Sequence, residues 1–321
     1  MPSRFPEFDR GLLQLAPLGN RKNDLTLSDI LEIKKTFPIR SAILSVASKI
    51  IAARNHGSAV VLMMGAHVLR SGVQRYLADL MEKGYISCIA VNGAGAVHDF
   101  EFALIGATTE SVACYIRDGR FGLWQETGRI NDIVSEAAKS GMGLGEAVGR
   151  VIEEERFPHS DISVFAAGYR LGIPMTVHTG IGYDIVHEFP NCDGAAYGAA
   201  SYTDFLRFAK ILQLLEGGVV MNFGSAVMAP EIFLKALSMV RNVARQEGRQ
   251  ICHFTTLVCD LADLPDNYRE EASKDNPYYY FRPWKTMLVR TVADGGESFY
   301  VKGRHAETIP ALWTAINELD V

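Results

Sequence analysis

No two of the five cysteines (Cys88, Cys114, Cys192, Cys252 and Cys259) stand in a CxxC pair. That excludes the usual zinc and dithiol motifs, and an odd number leaves one thiol unpaired. The cysteines read as reduced, mostly buried side chains of a cytoplasmic protein. No apolar run approaches the ~20 residues that span a bilayer. The first residues, Met-Pro-Ser-Arg-Phe-Pro-Glu-Phe-Asp, lack the apolar centre of a secretory signal. Basic runs are missing too, and a net charge of −5 offers no surface for nucleic acid. Neither G-x-G-x-x-G nor G-x-x-x-x-G-K-[ST] occurs, so the familiar dinucleotide and P-loop fingerprints are both absent.

What is present is enough apolar material for a sizeable core: 48% of 321 residues are hydrophobic and 21% charged. Residues 1–57 read as an N-terminal arm, laid over the surface or over a neighbouring subunit, followed by helices. In that segment Ser28 caps a short helix and a second helix spans about 40–53. From residue 58 the rhythm changes to buried strand-length runs alternating with helical periodicity. The runs are Ser58–Gly65, Ile86–Val91, Ile173–Thr179, Gly218–Phe223, Ile251–Val258, Lys285–Val292 and Phe299–Val301. Such alternation predicts one α/β domain over 58–321, built on a doubly wound parallel sheet. The 107–160 stretch is helical and sprinkled with glycine.

In a sheet of this kind, ligands bind beyond the carboxyl ends of the strands. Five thin, glycine-rich loops are expected there: Gly65-Ala-His67, Asn92-Gly93-Ala94-Gly95, Thr179-Gly-Ile-Gly182, Asn222-Phe-Gly224-Ser225 and Asp294-Gly295-Gly-Glu297. Loops so thin bring helix N-termini and backbone N–H groups against a ligand, which suits the pyrophosphate of a dinucleotide. His98-Asp99 and Asp184-x-x-His187-Glu188 add titratable groups suited to acid/base or hydrogen-bonding work near a cofactor. The bland alternative for His98 and His187 is capping of the following helix. A metal set of His178, Asp184, His187 and Glu188 matches no recognised zinc spacing, and no metal is expected. Trp284-Lys285 adds a lysine beside a ring that can strip its water, lower its pKa and make it a nucleophile. The bland alternative is a lysine that snorkels to solvent. The run Tyr278–Phe281 reads as core, pocket wall or subunit interface.

Val61–Gly72, Tyr85–Glu101, Ile173–Glu188, Gly224–Leu237 and Trp284–Asp294 together follow an order and spacing that resembles deoxyhypusine synthase, over roughly residues 58–315. Asn92–Glu101 is also similar to the NAD-binding domain of the archaeal-type ornithine cyclodeaminase group. The resemblance implies a homotetramer with NAD at subunit interfaces, hydride transfer from an amine, and aminoalkyl transfer through an imine on a lysine. By position Lys285 matches that lysine and Trp284 its neighbouring ring. Asp184, Ser71-Gly72, Asn92-Gly93-Ala94 and Asp294-Gly295 match cofactor-facing positions, to which Asp99 and Gly224-Ser225 are added.

Three departures bear on the substrate. Ala229-Pro230-Glu231 stands where the family has a histidine pair, which makes Glu231 a catalytic candidate beside His98 and His187. Trp284 and Lys285 are adjacent, not separated by one residue. Tyr279-Tyr-Phe-Arg-Pro283 replaces the acids that hold a polyamine, and Arg282 would repel a polyamine and attract an acid. A small amine or amino acid is therefore expected as substrate. The rival readings are NAD redox chemistry of the cyclodeaminase kind without a covalent lysine, and a non-catalytic nucleotide-binding tetramer.

Overall fold

In the computed structural model, which describes residues 4–320, helix α1 (Ser41–His56) leads into strand β1 (Val60–Met64), and α2 (Gln74–Glu82) joins β1 to β2 (Cys88–Asn92). Helix α3 (Gly93–Ile105) starts on the residue after β2. A helical excursion of α4 (Arg129–Ser140), α5 (Leu144–Glu154) and α6 (Val164–Leu171) precedes β3 (Met175–His178). Next, α7 (Gly194–Leu212) crosses to β4 (Val219–Phe223) and α8 (Met228–Gln246) leads to β5 (Thr255–Asp260). A wide helix over Pro283–Arg290 then leads to β6 (Glu297–Lys302), and α9 (His305–Leu319) packs back on α1. The six strands are all parallel and lie in the order β3-β2-β1-β4-β5-β6. This is the doubly wound α/β architecture.

The strands are continuously apolar because both faces of the sheet are covered. Val60, Leu62 and Met64 of β1 and Val219, Met221 and Phe223 of β4 face one core, formed with α1, α2, α3 and α9. Val61, Met63 and Val220 face the other, shared with α7, α8 and the Pro283–Arg290 helix. A one-residue slip of either strand would exchange these two sets. The register pairing Val60 with Val219 and Met64 with Phe223 is fixed by that exchange penalty.

Several elements differ from their sequence expectation. Lys285–Val292 is not a strand. Pro283 opens a helix, where its missing N–H costs nothing, and the apolar positions Trp284, Met287 and Leu288 are buried at helical spacing. The turns are wide, closing with Thr291 N–H donated to the Thr286 carbonyl at 3.0 Å. The expected loop Asn92–Gly95 is not a loop: Asn92 ends β2 and stands at the N-cap of α3, and Gly93–Gly95 belong to the first turn of α3. Helix α7 starts at Gly194 because Asp193 caps it by accepting from the Ala195 and Ala196 N–H groups. Among the described residues before α1, the arm holds only three single helical turns, Arg10–Leu12, Leu18–Asn20 and Leu27–Asp29, the last in a capping box with Thr26. It lies on its own chain: Leu25–Thr26 pairs antiparallel with Ala107–Thr108, and Leu18 packs with Tyr115 and Trp124.

Candidate functional site

The strand order reverses between β1 and β4, so the loops leaving these two neighbours diverge to opposite faces and open a crevice between them. A cleft of about 720 Å³ lies there, lined by Gly65–His67 after β1 and Gly224–Met228 after β4. Asn92 at the end of β2, Ala94 and His98 of α3, His178 at the end of β3 with Thr179 after it, and Glu231 of α8 line it as well. The two loops touch: a Cβ added to Gly65 would stand 2.5 Å from the Gly224 carbonyl oxygen. Only glycine permits that approach, so the thin loops read from the sequence have a geometric purpose here.

The lining is polar but carries little fixed charge. Burial holds the His178 imidazole down to about 3 and His98 down to about 4. His67 is lowered by burial and by Arg70 beside it. All three histidines are therefore neutral at physiological pH. Arg70 has no carboxylate partner among the described residues. Its Nε is buried without a hydrogen bond, and its Nη1 lies 3.3 Å from His67 Nε2. Glu231 is held ionised, first by Lys235 and also by Arg282 at 3.4 Å.

Through Arg70, Ala94, His98 and Tyr183 the cleft adjoins a second pocket of about 250 Å³, whose further lining includes Asp184, Thr109 and Glu110. Asp184 is only 4% exposed and its carboxyl rests on the backbone of Gly93. Burial pushes it up to about 7, against the Ala94 N–H that favours its charged form, and Oδ2 has no partner. Thr109 sits at φ 68°, an outlier for a β-branched residue, and its buried Oγ1 is also unpartnered. Strain of that kind concentrates at functional sites. Glu110 accepts from Gly122 N–H at 2.9 Å and from Trp124 Nε1–H at 2.8 Å, while burial raises its pKa.

Of the residues singled out in the sequence, His98, Asn92, Ala94, Gly224, Ser225 and Glu231 line the cleft, and Gly93 underlies it. Asp184, expected as a cofactor contact, lies in the adjoining pocket. Others are elsewhere. Asp99 is a buried cap for α6, accepting from the Ser163 hydroxyl, from Val164 N–H at 2.9 Å and from Phe165 N–H at 3.3 Å. Ser71 donates to the Val68 carbonyl, and Gly72 packs under Asp29 of the arm. Asp294 and Gly295 precede β6, at the amino end of the sheet and opposite the cleft. There Asp294 faces Arg241 and Gly295 faces His253. The expectation of a cleft-facing turn failed because it took Lys285–Val292 for a strand and so placed the turn at a carboxyl end.

Lys285 and Trp284 do not line the cleft either. Lys285 Nζ lies 3.3 Å from Glu271 and 3.5 Å from the centre of the Tyr279 ring, while Trp284 Nε1–H donates to the Tyr268 carbonyl at 2.7 Å. His187 sits edge-on to Tyr197, at 4.7 Å between ring centres. Arg70 was not singled out in the sequence, and His178 only as a member of the metal set that was set aside, although each falls within seven residues of a flagged glycine loop. That proximity was the available signal. Among the described residues no cluster of three or more His, Cys, Asp or Glu could hold a metal ion, and no helix is long and apolar enough to cross a membrane.

Residues 44–138 match the family model described as the C-terminal Rossmann-fold domain of ArgZ-like arginine dihydrolases. The structure is similar to unliganded AgrE, with a TM-score of 0.52 at 17% identity over 88% of this chain. It is likewise similar to AgrE in ternary complex with ornithine and NAD+, with a TM-score of 0.51 at 18% identity over 88% of this chain. In both cases the chain spans about a third of the AgrE chain, 34% of its length. A protein of Entamoeba histolytica named for deoxyhypusine synthase aligns over 88% of this chain and 90% of its own, but at 9% identity and a TM-score of 0.40. That value carries no argument. No curated protein matches the chain by sequence. At these identities the likeness to AgrE is one of fold.

Proposed function

We propose that the chain binds NAD in the switch-point cleft and uses it to oxidise a small amino acid held in the adjoining pocket. One observation carries this reading: the cleft at the strand-order reversal opens into a pocket that presents an unpaired guanidinium, a neutral imidazole and a carboxyl poised near neutrality. The cleft residues suit a dinucleotide. Gly65 and Gly224 leave only backbone between β1 and β4, and the Asn92 Oδ1 is a buried acceptor without a partner. Gly65, Ala66, Asn92, Ala94, Gly224 and Ser225 would hold it. The fold likeness to AgrE, whose complex contains NAD+ and ornithine, supports the same assignment.

NAD, when bound, supplies the hydride acceptor. Arg70 would take the substrate carboxylate, for which a guanidinium fork is the best-matched partner. Asp184 would accept the proton that the amino nitrogen releases as its carbon loses hydride, leaving an imine. A carboxyl held near 7 is well placed for a proton that must be both taken and returned. The neutral histidines line the site without adding charge. A covalent imine on Lys285 is not part of this reading, because Glu271 and Tyr279 engage that amine away from the cleft. A homotetramer remains part of the proposal, supported by the exposed apolar Tyr202, Leu206 and Leu234 on α7 and α8.

The test is calorimetry with NAD, followed by NADH formation with L-ornithine and with 1,4-diaminobutane, which lacks the carboxylate. NAD binding, turnover of ornithine over the diamine, and loss of that preference in Arg70→Gln are expected. Charge-assisted hydrogen bonds of about 1.5–3 kcal/mol put the change at roughly 10- to 150-fold in KM. Absence of NAD binding at millimolar concentration overturns the reading, and a preference for the diamine overturns its amino-acid half.

A further inference from the structure

Behind the cleft lies a buried hydrogen-bond chain that the chemistry above does not use. Arg21 donates to both oxygens of Glu101 at 2.8 Å, and both side chains are 1% exposed. Thr127 adds a hydroxyl to Oε1 at 2.7 Å and Thr108 one to Oε2 at 2.6 Å. Glu101 is ionised, its pKa lowered by Arg21 and the Thr108 hydroxyl against the burial that raises it. An ionised carboxylate only accepts, so the single proton of the Thr108 hydroxyl points to Glu101. The Thr108 oxygen can then only accept from the His98 Nδ1 that lies 2.8 Å away. His98 must carry its proton on Nδ1. Its Nε2, which no described residue engages, is a bare lone pair on a ring that lines both the cleft and the pocket.

We propose that His98 is a fixed hydrogen-bond acceptor that receives the amino N–H of the substrate, with Thr108, Glu101 and Arg21 as positioning residues that set its tautomer. The ligand half rests on the amino-acid reading above; the tautomer half does not. The arrangement gives a specificity rule. Where Arg70 takes a carboxylate, His98 accepts a donor such as an amine, so a ligand that presents another acceptor there meets an opposing lone pair. An amino acid satisfies both groups, whereas the corresponding 2-oxo acid does not. The burial of the ring and the nearby Arg70, Arg21 and His67 keep His98 from gaining a second proton, opposed only by Glu101.

The experiment is the two-bond proton–nitrogen spectrum of histidine-labelled, ligand-free protein at pH 7, with the His98 signals assigned by their loss in His98→Asn. The Nδ1–H tautomer is expected in the parent and in Thr108→Ser, and a shift towards Nε2–H in Thr108→Val. An Nε2–H or doubly protonated ring in the parent overturns the proposal even if Thr108→Val does not fold. So does a folded Thr108→Val with an unchanged ring. The ligand half uses L-ornithine as probe in the presence of NAD. Thr108→Val should raise its KM at least tenfold with the NAD Kd unmoved, and Thr108→Ser should restore it. An unchanged KM in a folded Thr108→Val overturns His98 as substrate contact. Should the parent not bind L-ornithine at all, the amino-acid assignment falls with that contact, while the relay is decided by the spectrum alone.

Discussion

Asp184 shows how one buried carboxyl couples site and stability. Its pKa is raised to about 7 from an ordinary 3.8 by burial. Between those values the folded chain holds a proton that the unfolded chain has released. The stability the group contributes is therefore fully present near pH 4, falls as pH rises to about 7, and is flat above. Asp99 and Asp204, pushed up to about 6 and about 7 by burial, act with the same sign, whereas Glu101 is lowered and acts with the opposite one. The clean measurement is thus a difference. Asp184→Asn should match the parent in thermal melts near pH 4 and become progressively more stable than it towards pH 8, while its turnover falls about 10²- to 10⁴-fold. A stability difference that does not change with pH would mean that the carboxyl titrates normally. Asp184 was legible in the sequence as an acid in a glycine loop. Its burial was not, because that depends on α3 arriving beneath it from another part of the chain.

At the scale of elements, the glycines divide into those that packing demands and those it does not. A Cβ on Gly65 would collide with the Gly224 carbonyl, backbone against backbone, with no flexible atom to yield. Gly65→Ala should cost about 1–3 kcal/mol by overpacking, widen the crevice and weaken NAD binding. Gly198 is the contrast: it lies inside α7, is exposed, and a Cβ there meets nothing within 4 Å. Gly198→Ala should stabilise by about 0.5–1 kcal/mol through helix propensity alone and leave NAD affinity unchanged. Paired urea titrations and NAD calorimetry decide both, and a neutral Gly65→Ala would show that the loops part without penalty. The buried strands were readable because parallel strands covered on both faces are uniformly apolar. The segment after Pro283 was misread because Met-Leu-Val suits a strand as well as a helix. Only Pro283 and the burial of Trp284, Met287 and Leu288 on one side separate the two.

For the whole molecule, the sequence implied a parallel sheet but not its order. Order is set by which face each crossover helix covers, and local pattern does not encode that. The reversal between β1 and β4 creates the cleft, and with it the meeting of residues more than a hundred positions apart. The arm shows the same dependence. Residues 1–25 look like a surface extension, yet Arg21 reaches under α3 to Glu101, and Leu31 N–H donates to the Gly72 carbonyl at 2.8 Å. Removing one partner of a buried pair leaves an uncompensated charge, at about 3–5 kcal/mol. Arg21→Met should therefore destabilise by that amount. Because Thr108, Thr127 and Leu25–Thr26 are tied to the same node, the loss should be regional before it is global. In native-state hydrogen exchange, amides of residues 16–31 and 107–127 should lose protection together, while those of β1, β4 and β5 keep theirs. Equal loss in the central strands would mean that the arm is no separate unit and that Arg21 supports the sheet as a whole.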